Sequence, residues 1–445
     1  MATEPTNAAL NTSGMGTGKT LMAVETAKAL GARVIVIVCP LGTRVGWERT
    51  LEAQGYRDPI RRIDSKKAGK EAWELLVKGE PGAYIVGREY FRRLEWAKVK
   101  KADIGIIDEV HVFSNRQSKG FKVLKTFKPA YRLALSGTPF LNKFVGMWAV
   151  CRWLWPDDEF VAGRSFHRWA AMWCKTAYNP FNMTGKDYVG EKRPGQFVKN
   201  LPCYVRLESD FGKPVIEERF VELSPQQRKD YEELERHGLI WLQENPLVVE
   251  LPITMRIRLR QITLGTVTWS ETGREDENGM PIMQVDYADD CKSSKISALK
   301  EILQDLEDEP AVIYTHSSKF ARVVAKRLGK QAALWSGDTS QDEREAILRT
   351  FGKEGGPKYL VATIAAIGEG VDGLQRVCSN MIWLSKDENS ALNAQAEARL
   401  VRRGQTEQVT SYQILAPNTY DEGVFSKHIE TQLGLNASLR KEKAA

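Results

Sequence analysis

The chain has 445 residues, a formal net charge of +7 and a pI near 8.9, with 42% hydrophobic and 27% charged residues. That length suits two or three domains with a sizeable core, and no apolar run approaches the roughly 18 residues of a membrane span. Six scattered cysteines without a CxxC pair or zinc-type spacing, and a polar stretch from Met1 to Leu10 in place of a secretory apolar core, point to a reducing, cytoplasmic setting. The mild positive balance permits a nucleic-acid partner without requiring one.

In chain order, the first element is Ser13-Gly14-Met15-Gly16-Thr17-Gly18-Lys19-Thr20. It has the form of a phosphate-binding loop, with Ser13 where the strict pattern places its first glycine. Glycines let backbone N–H groups turn toward phosphate, Lys19 adds positive charge, and Thr20 offers a hydroxyl to Mg²⁺. The loop runs into a helix predicted over Lys19–Leu30, whose N-terminus favours an anion. A chance Gly-rich turn is the plainer reading of the loop alone.

Arg33–Cys39, Tyr84–Val86, Ile104–Ile107 and Arg132–Leu135 read as strands, mostly continuous apolar runs suited to a parallel sheet buried on both faces. The third leads into Asp108-Glu109-Val110-His111. Here Asp108 is placed to hold Mg²⁺ and Glu109 to polarise an attacking water. A carboxylate pair after a strand is otherwise often a helix cap, but its partnership with the loop favours the metal reading. Hydroxyls in Leu135-Ser136-Gly137-Thr138-Pro139 are placed to hydrogen-bond the carboxylate loop.

The region from about 144 to 262 is rich in Trp and Arg, including Trp148, Trp153, Trp155, Trp169 and Trp173, and is expected to be mostly helical, with a loop over 175–200. The polar stretch 270–290, with a turn signal at Asn278-Gly279, is expected to be a hairpin or a disordered insertion. A second α/β series follows. It has a helix over Lys295–Leu306 and strands at Ala311–Thr315, Ala332–Trp335, Tyr359–Thr363, Met381–Leu384 and Thr410–Leu415. Ser340 and Glu343 have capping-box spacing.

Two late segments complete the candidate chemistry. The Gly-rich stretch from Ala362 to Asp372, with Gly370 and Asp372, follows a strand as a switch loop would. In Gln395–Gln405, Arg399 and Arg402 are expected on one helix face, placed to neutralise charge on a transferring phosphoryl group. A merely solvated basic face is the plainer alternative, and Gln395 and Gln405 framing the pair argue against it.

These residues, from about Thr12 to Leu415, resemble the superfamily-2 helicase-like ATPases of the Swi/Snf type. Leu135–Asn142, Phe220–Tyr231, Leu259–Ile262, Ser293–Lys295 and Gln395–Gln405 carry the resemblance. It implies an α/β fold of two RecA-like lobes with parallel sheets joined by a mainly helical Trp/Arg-rich region. The first lobe is expected over 1–210, with its helical extension from about 144. The second is expected over 211–435, with a polar insertion at 265–290, and a flexible tail at 436–445. It further implies ATP and Mg²⁺ as ligands, double-stranded DNA as partner, a monomeric motor in a compact phage- or bacterial-like form, and translocation without strand separation. Gln395 would couple the lobes or approach the nucleotide. Pro40, Leu41, Trp47, Arg88, His316, Ser317, Lys319 and Thr363 fall where the family meets the DNA backbone.

The chain departs from the family pattern in several places, among them a stretch over Leu201–Phe211 that is less basic than its family equivalent. Only about 12 residues precede the loop, so the helical segment whose Gln reads adenine is expected to be missing, and Gly14 replaces the usual acidic residue. Two other readings stay open: a strand-separating DNA helicase or RNA-dependent ATPase, and a nucleotide-gated DNA-binding module with little turnover.

Overall fold

The computed structural model describes residues 6–14, 16–137, 144–178, 186–208, 211–237, 239–242, 245–248, 252–275, 281–368 and 371–424. Two compact units part between Asp210 and Phe211. Among the described residues no helix is long and apolar enough to cross a membrane.

The first unit opens with β1 (Ala8–Asn11), α1 (Lys19–Ala29), β2 (Val34–Cys39), α2 (Arg44–Ala53), β3 (Ile60–Ile63), α3 (Lys67–Lys78) and β4 (Gly82–Gly87). It continues through α4 (Arg88–Phe91), β5 (Ile104–Asp108), α5 (Lys119–Leu124) and β6 (Tyr131–Leu135). Seven strands form one parallel sheet in the order β3-β4-β2-β5-β6-β1-β9, where β9 is Tyr204–Val205. β2 is Val-Ile-Val-Ile-Val-Cys and every residue in it is buried, because helices cover both faces of such a sheet. β3 (Ile-Arg-Arg-Ile) escaped the sequence reading because its basic centre breaks the apolar run at the sheet edge.

Aromatic packing dominates one side. Phe91, Trp96, Phe127 and Trp153 stack in succession at centroid separations from 4.5 to 6.4 Å. α6 (Met147–Leu154) and α7 (Phe166–Trp173) join this core, so the Trp-rich stretch is structural. The loop expected over 175–200 is corrected: Cys174–Tyr178 (β7) and Lys186–Glu191 (β8) form an antiparallel hairpin, followed by α8 (Gln196–Lys199). Pro, Gly and Asn suggested coil there, yet they cluster at 179–185, outside the described residues, between two segments able to pair.

The second unit begins with β10 (Val215–Phe220), α9 (Pro225–His237), a hairpin of β11 (Leu239–Leu242) and β12 (Asn245–Val248), and α10 (Pro252–Leu264). These strands correct the mainly helical expectation for 144–262. β10 is exposed along its whole length and half charged, so hydropathy did not mark it, but it pairs in parallel with β19 over six residues. β13 (Thr268–Glu275) and β14 (Pro281–Asp286) form the expected hairpin; its turn at Asn278-Gly279 lies outside the described residues.

After it come α11 (Ser294–Asp305), β15 (Ala311–Thr315), α12 (Ser318–Leu328), β16 (Ala332–Trp335), α13 (Gln341–Thr350), β17 (Tyr359–Thr363), α14 (Ile364–Ile367), β18 (Asn380–Trp383), α15 (Ser390–Glu397) and β19 (Thr410–Leu415). The parallel sheet runs β10-β19-β18-β15-β17-β16. The Ser340–Glu343 capping box is present, with both reciprocal bonds formed. Residues 425–445, which include the tail, lie outside the description.

Candidate nucleotide site

In the first unit the carboxyl ends of β5, β6 and β1 lie side by side, with Asp108 opposite Leu135 and Leu135 opposite Asn11. That order brings the loop after β1 and the carboxylates after β5 to one edge of the sheet. Gly16 and Gly18 have φ of 75° and 86°, in the left-handed region that favours glycine. Gly18 caps α1 without any side-chain bond, so the helix offers its first N–H groups to a ligand. Lys19 folds its Nζ onto the carbonyls of Ser13 and Gly14, both at 2.9 Å, and Thr17 Oγ1 bonds the Gly14 carbonyl at 2.8 Å. Thr20 lies in the first turn of α1. Met15 lies outside the described residues.

The loop is braced by a segment that sequence reasoning did not single out for this site. The Gly14 N–H donates to the Leu207 carbonyl at 2.8 Å, and the Leu207 N–H donates to Ser13 Oγ at 2.9 Å. Thr12 Oγ1 donates to Tyr204 Oη at 2.7 Å, and Arg206 reaches the Thr12 carbonyl at 3.1 Å. No periodicity signals this, because residues 194 positions apart meet only through the parallel pairing of β9 with β1.

Glu109 has φ 52° and ψ 52°, a conformation uncommon for a non-glycine residue. Its Oε2 accepts from Ser136 Oγ at 3.2 Å and from His111 Nδ1 at 3.1 Å, and His111 Nδ1 is 2.9 Å from Ser136 Oγ. The Ser136 N–H donates to the Asn11 carbonyl at 3.1 Å, which ties this cluster to the start of the phosphate loop. Asp108 Oδ1 accepts the Glu109 N–H at 3.0 Å, and Oδ2 accepts Trp47 Nε1 at 3.1 Å.

The two carboxylates are pushed apart. Burial, then the charge of Glu109, raises Asp108 above the usual carboxylate range. Burial acts on Glu109 in the same direction, but His111, Lys19 and Ser136 outweigh it and hold Glu109 low and charged.

The donors fit a magnesium nucleotide. Among the described residues no cluster of three or more His, Cys, Asp or Glu could cage a metal. A hydroxyl at Thr20 and a carboxylate at Asp108 are the sparse oxygen set that Mg²⁺ takes when phosphates and waters complete its shell.

In the second unit the expected helix is corrected at its end. α15 stops at Glu397, and the chain goes on as a turn over Ala398–Leu400, a bend at Val401–Arg402 and a turn at Arg403-Gly404. Despite the bend, Arg399 and Arg402 still converge on one loop. Both donate to the Val371 carbonyl, at 3.0 and 3.4 Å; Arg399 also bonds the Gly368 carbonyl, and Arg402 pairs with Asp372 at 3.3 Å. Gln395 is buried, and a Cβ added at Gly368 would come within 3.2 Å of its Oε1. The Tyr314 hydroxyl holds the Ala396 carbonyl at 3.0 Å. Gly370 lies outside the described residues.

The residues expected along a DNA backbone divide. Leu41 is 54% exposed and Arg88 partly so, both just beyond strand ends of the first sheet. Trp47 is a correction: it is 1% exposed and turned inward onto Asp108. Pro40 and Thr363 are buried. Ser317 caps α12, and Lys319 is engaged with Asp286 at 3.1 Å at the base of the β13–β14 hairpin. His316 Nδ1 lies 2.7 Å from Ser385 Oγ; burial, then Arg260 and Lys295, push its pKa well below the usual histidine value.

A family model described as the SNF2-related domain matches residues 7–264, and one described as the helicase conserved C-terminal domain matches residues 294–404. The chain belongs to the SNF2-related family. SNF2-family proteins are helicase-like ATPases built on two RecA-like lobes, and both parallel sheets here have that form.

Among curated SNF2 relatives, an uncharacterized ATP-dependent helicase of Mycoplasma genitalium is 24% identical, covering 92% of this chain and 38% of that protein. An ISWI chromatin-remodeling complex ATPase of Arabidopsis thaliana is 24% identical, covering 93% and 38%. The human SWI/SNF-related matrix-associated actin-dependent regulator of chromatin subfamily A member 1 is 21% identical, covering 93% and 40%. The chain thus spans less than half the length of these relatives. A solved structure, the Sulfolobus solfataricus SWI2/SNF2 ATPase core in complex with dsDNA, matches with a TM-score of 0.39 at 18% identity, covering 97% of this chain and 89% of that one.

Proposed function

We propose that the chain hydrolyses ATP and uses the cycle to move along double-stranded DNA, remodelling protein–DNA complexes or branched DNA. The observation that carries the hydrolytic part is the Glu109 cluster. One carboxylate is held charged by His111 and Ser136 beside a second that is pushed up, at the same sheet edge as the phosphate loop. Glu109 then orients the attacking water and accepts its proton, Lys19 and the N-terminus of α1 bind phosphate oxygens, and Thr20 and Asp108 hold the metal. When bound, Mg²⁺ neutralises charge on the β- and γ-phosphates. Arg399 and Arg402 exchange their loop carbonyls for the transferring phosphoryl group when the lobes close.

Duplex DNA is supported by membership of the SNF2-related family. Translocation follows if closing and reopening shift one lobe's grip on the backbone in each cycle. The test is ATPase turnover with no nucleic acid, duplex DNA, single-stranded DNA or RNA, at two salt concentrations. Stimulation by duplex that weakens at higher salt is expected. Preference for single strands or RNA would move the assignment to a strand-separating or RNA-dependent enzyme. DNA binding without turnover would leave a nucleotide-gated binding module.

A further inference from the structure

We infer that Trp47 is a positioning residue for the metal-holding carboxylate: its indole N–H fixes the plane of Asp108. This rests on the proposed role of Asp108 but does not depend on DNA being the partner.

The indole has one donor and no acceptor, and a buried donor needs a partner. Trp47 is 1% exposed and its Nε1 finds Asp108 Oδ2 at 3.1 Å, a bond strengthened by the acceptor's charge. Asp108 Oδ1 is held separately by the Glu109 N–H at 3.0 Å. Each carboxylate oxygen therefore carries one fixed donor, and each keeps a second lone pair for a metal or its waters. The arrangement follows from topology. β2 and β5 are neighbours, with Val38 opposite Ile107, so the helix that follows β2 lies beside the end of β5.

Packing alone does not ask for an indole here. Trp47 and Leu51 fill the core with Ile37, Ile85 and Ile106, a role that a phenyl ring also performs. What phenylalanine lacks is the donor. α2 also begins directly after the turn Leu41–Thr43, and Thr43 makes no side-chain cap bond. α2 thus starts beside the sheet edge that exposes Leu41 and carries Trp47 in its first turn.

The test is Trp47→Phe in the full chain. Mn²⁺ binding is titrated by electron paramagnetic resonance with saturating ADP, alongside metal-free ADP affinity and the thermal midpoint. Loss of an outer-shell partner predicts Mn²⁺ affinity weaker by about tenfold, with metal-free ADP affinity unchanged. An unchanged Mn²⁺ affinity in the folded variant overturns the inference, as does an equal loss of metal-free ADP affinity, which marks a purely structural role. If Trp47→Phe does not fold, benzothienylalanine at position 47 replaces only the N–H by sulfur and the same titration decides. A natural chain that binds Mn²⁺ and ADP but gains no turnover from duplex DNA refutes the translocase reading and leaves the Trp47 result standing. One that binds no Mn²⁺ with ADP overturns both.

Discussion

Glu109 combines an uncommon backbone conformation with a side chain fixed from two directions. The left-handed φ and ψ cost of order 1–3 kcal/mol, sustained only where the surroundings over-determine them. Ser136 and His111 are those surroundings. Glu109→Gln preserves shape and removes the base, so turnover should fall by about 10²- to 10⁴-fold while ATP binding persists, measured by single-turnover hydrolysis and equilibrium binding. Asp108 supplies a pH signature. Because its carboxyl is raised by burial and by Glu109, protons compete with metal at a higher pH than at an ordinary carboxylate. Protonation removes the metal-binding form, so the Mg²⁺ concentration needed for half-maximal turnover should rise as pH falls from neutrality toward about 6, where the raised carboxyl takes up its proton. A flat Mg²⁺ requirement over that range would contradict the assignment. That Lys19 would lie near Asp108 and Glu109 was legible, because the types and spacing of these residues suggest one phosphate and metal site. The inward turn of Trp47 was not, since its partner lies 61 positions away and is fixed by the adjacency of two strands.

Among the elements, the segment from Tyr204 to Leu207 shows how a site can depend on residues without a motif. Its backbone continues the first sheet beside β1 and its side chains hold Thr12, while Ser13 bonds its main chain. Tyr204→Phe removes the hydroxyl that meets Thr12 and Arg206 and should destabilise the first unit by about 0.5–1.5 kcal/mol, read from the midpoint of urea unfolding. A comparable brace in the second unit is ionic. Lys295 and Asp421 form an ion pair with side chains 0% and 5% exposed, and Lys295 also reaches the Leu384 carbonyl at 2.6 Å. Lys295→Met strands a buried carboxylate and should cost about 3–5 kcal/mol, much of it recovered when Asp421→Leu is added. Ser293–Lys295 was recognised by resemblance, but its mechanical role needed the structure. Continuous apolar strands and the capping box of α13 were legible because local pattern suffices for them. β3, β9 and β10 were not, because they are short, charged or exposed and are defined by the strand they pair with.

For the whole molecule, a net charge of +7 over 445 residues is too mild to announce a nucleic-acid surface, so any grip on DNA must be local. The exposed candidates are few. Leu41 and Arg88 follow β2 and β4, neighbouring strands of the first sheet, whereas Trp47, Pro40 and Thr363 are buried and Lys319 is engaged with Asp286. A sequence-independent backbone contact releases counterions, and its loss lowers affinity alike on every sequence. Arg88 is the test. It is partly exposed at the end of β4, and its pairing with Glu89 at 3.9 Å, across a half-exposed carboxylate, is a weak one. Arg88→Ala should weaken duplex binding uniformly across sequences and reduce the slope of log affinity against log salt by about one. Basal turnover without DNA should be unchanged, because Arg88 follows β4, which β2 separates from the β5 that carries Asp108. If the slope stays the same while affinity falls, Arg88 acts through folding rather than through phosphate. If neither changes, the DNA path of the first unit runs elsewhere than along the ends of β2 and β4.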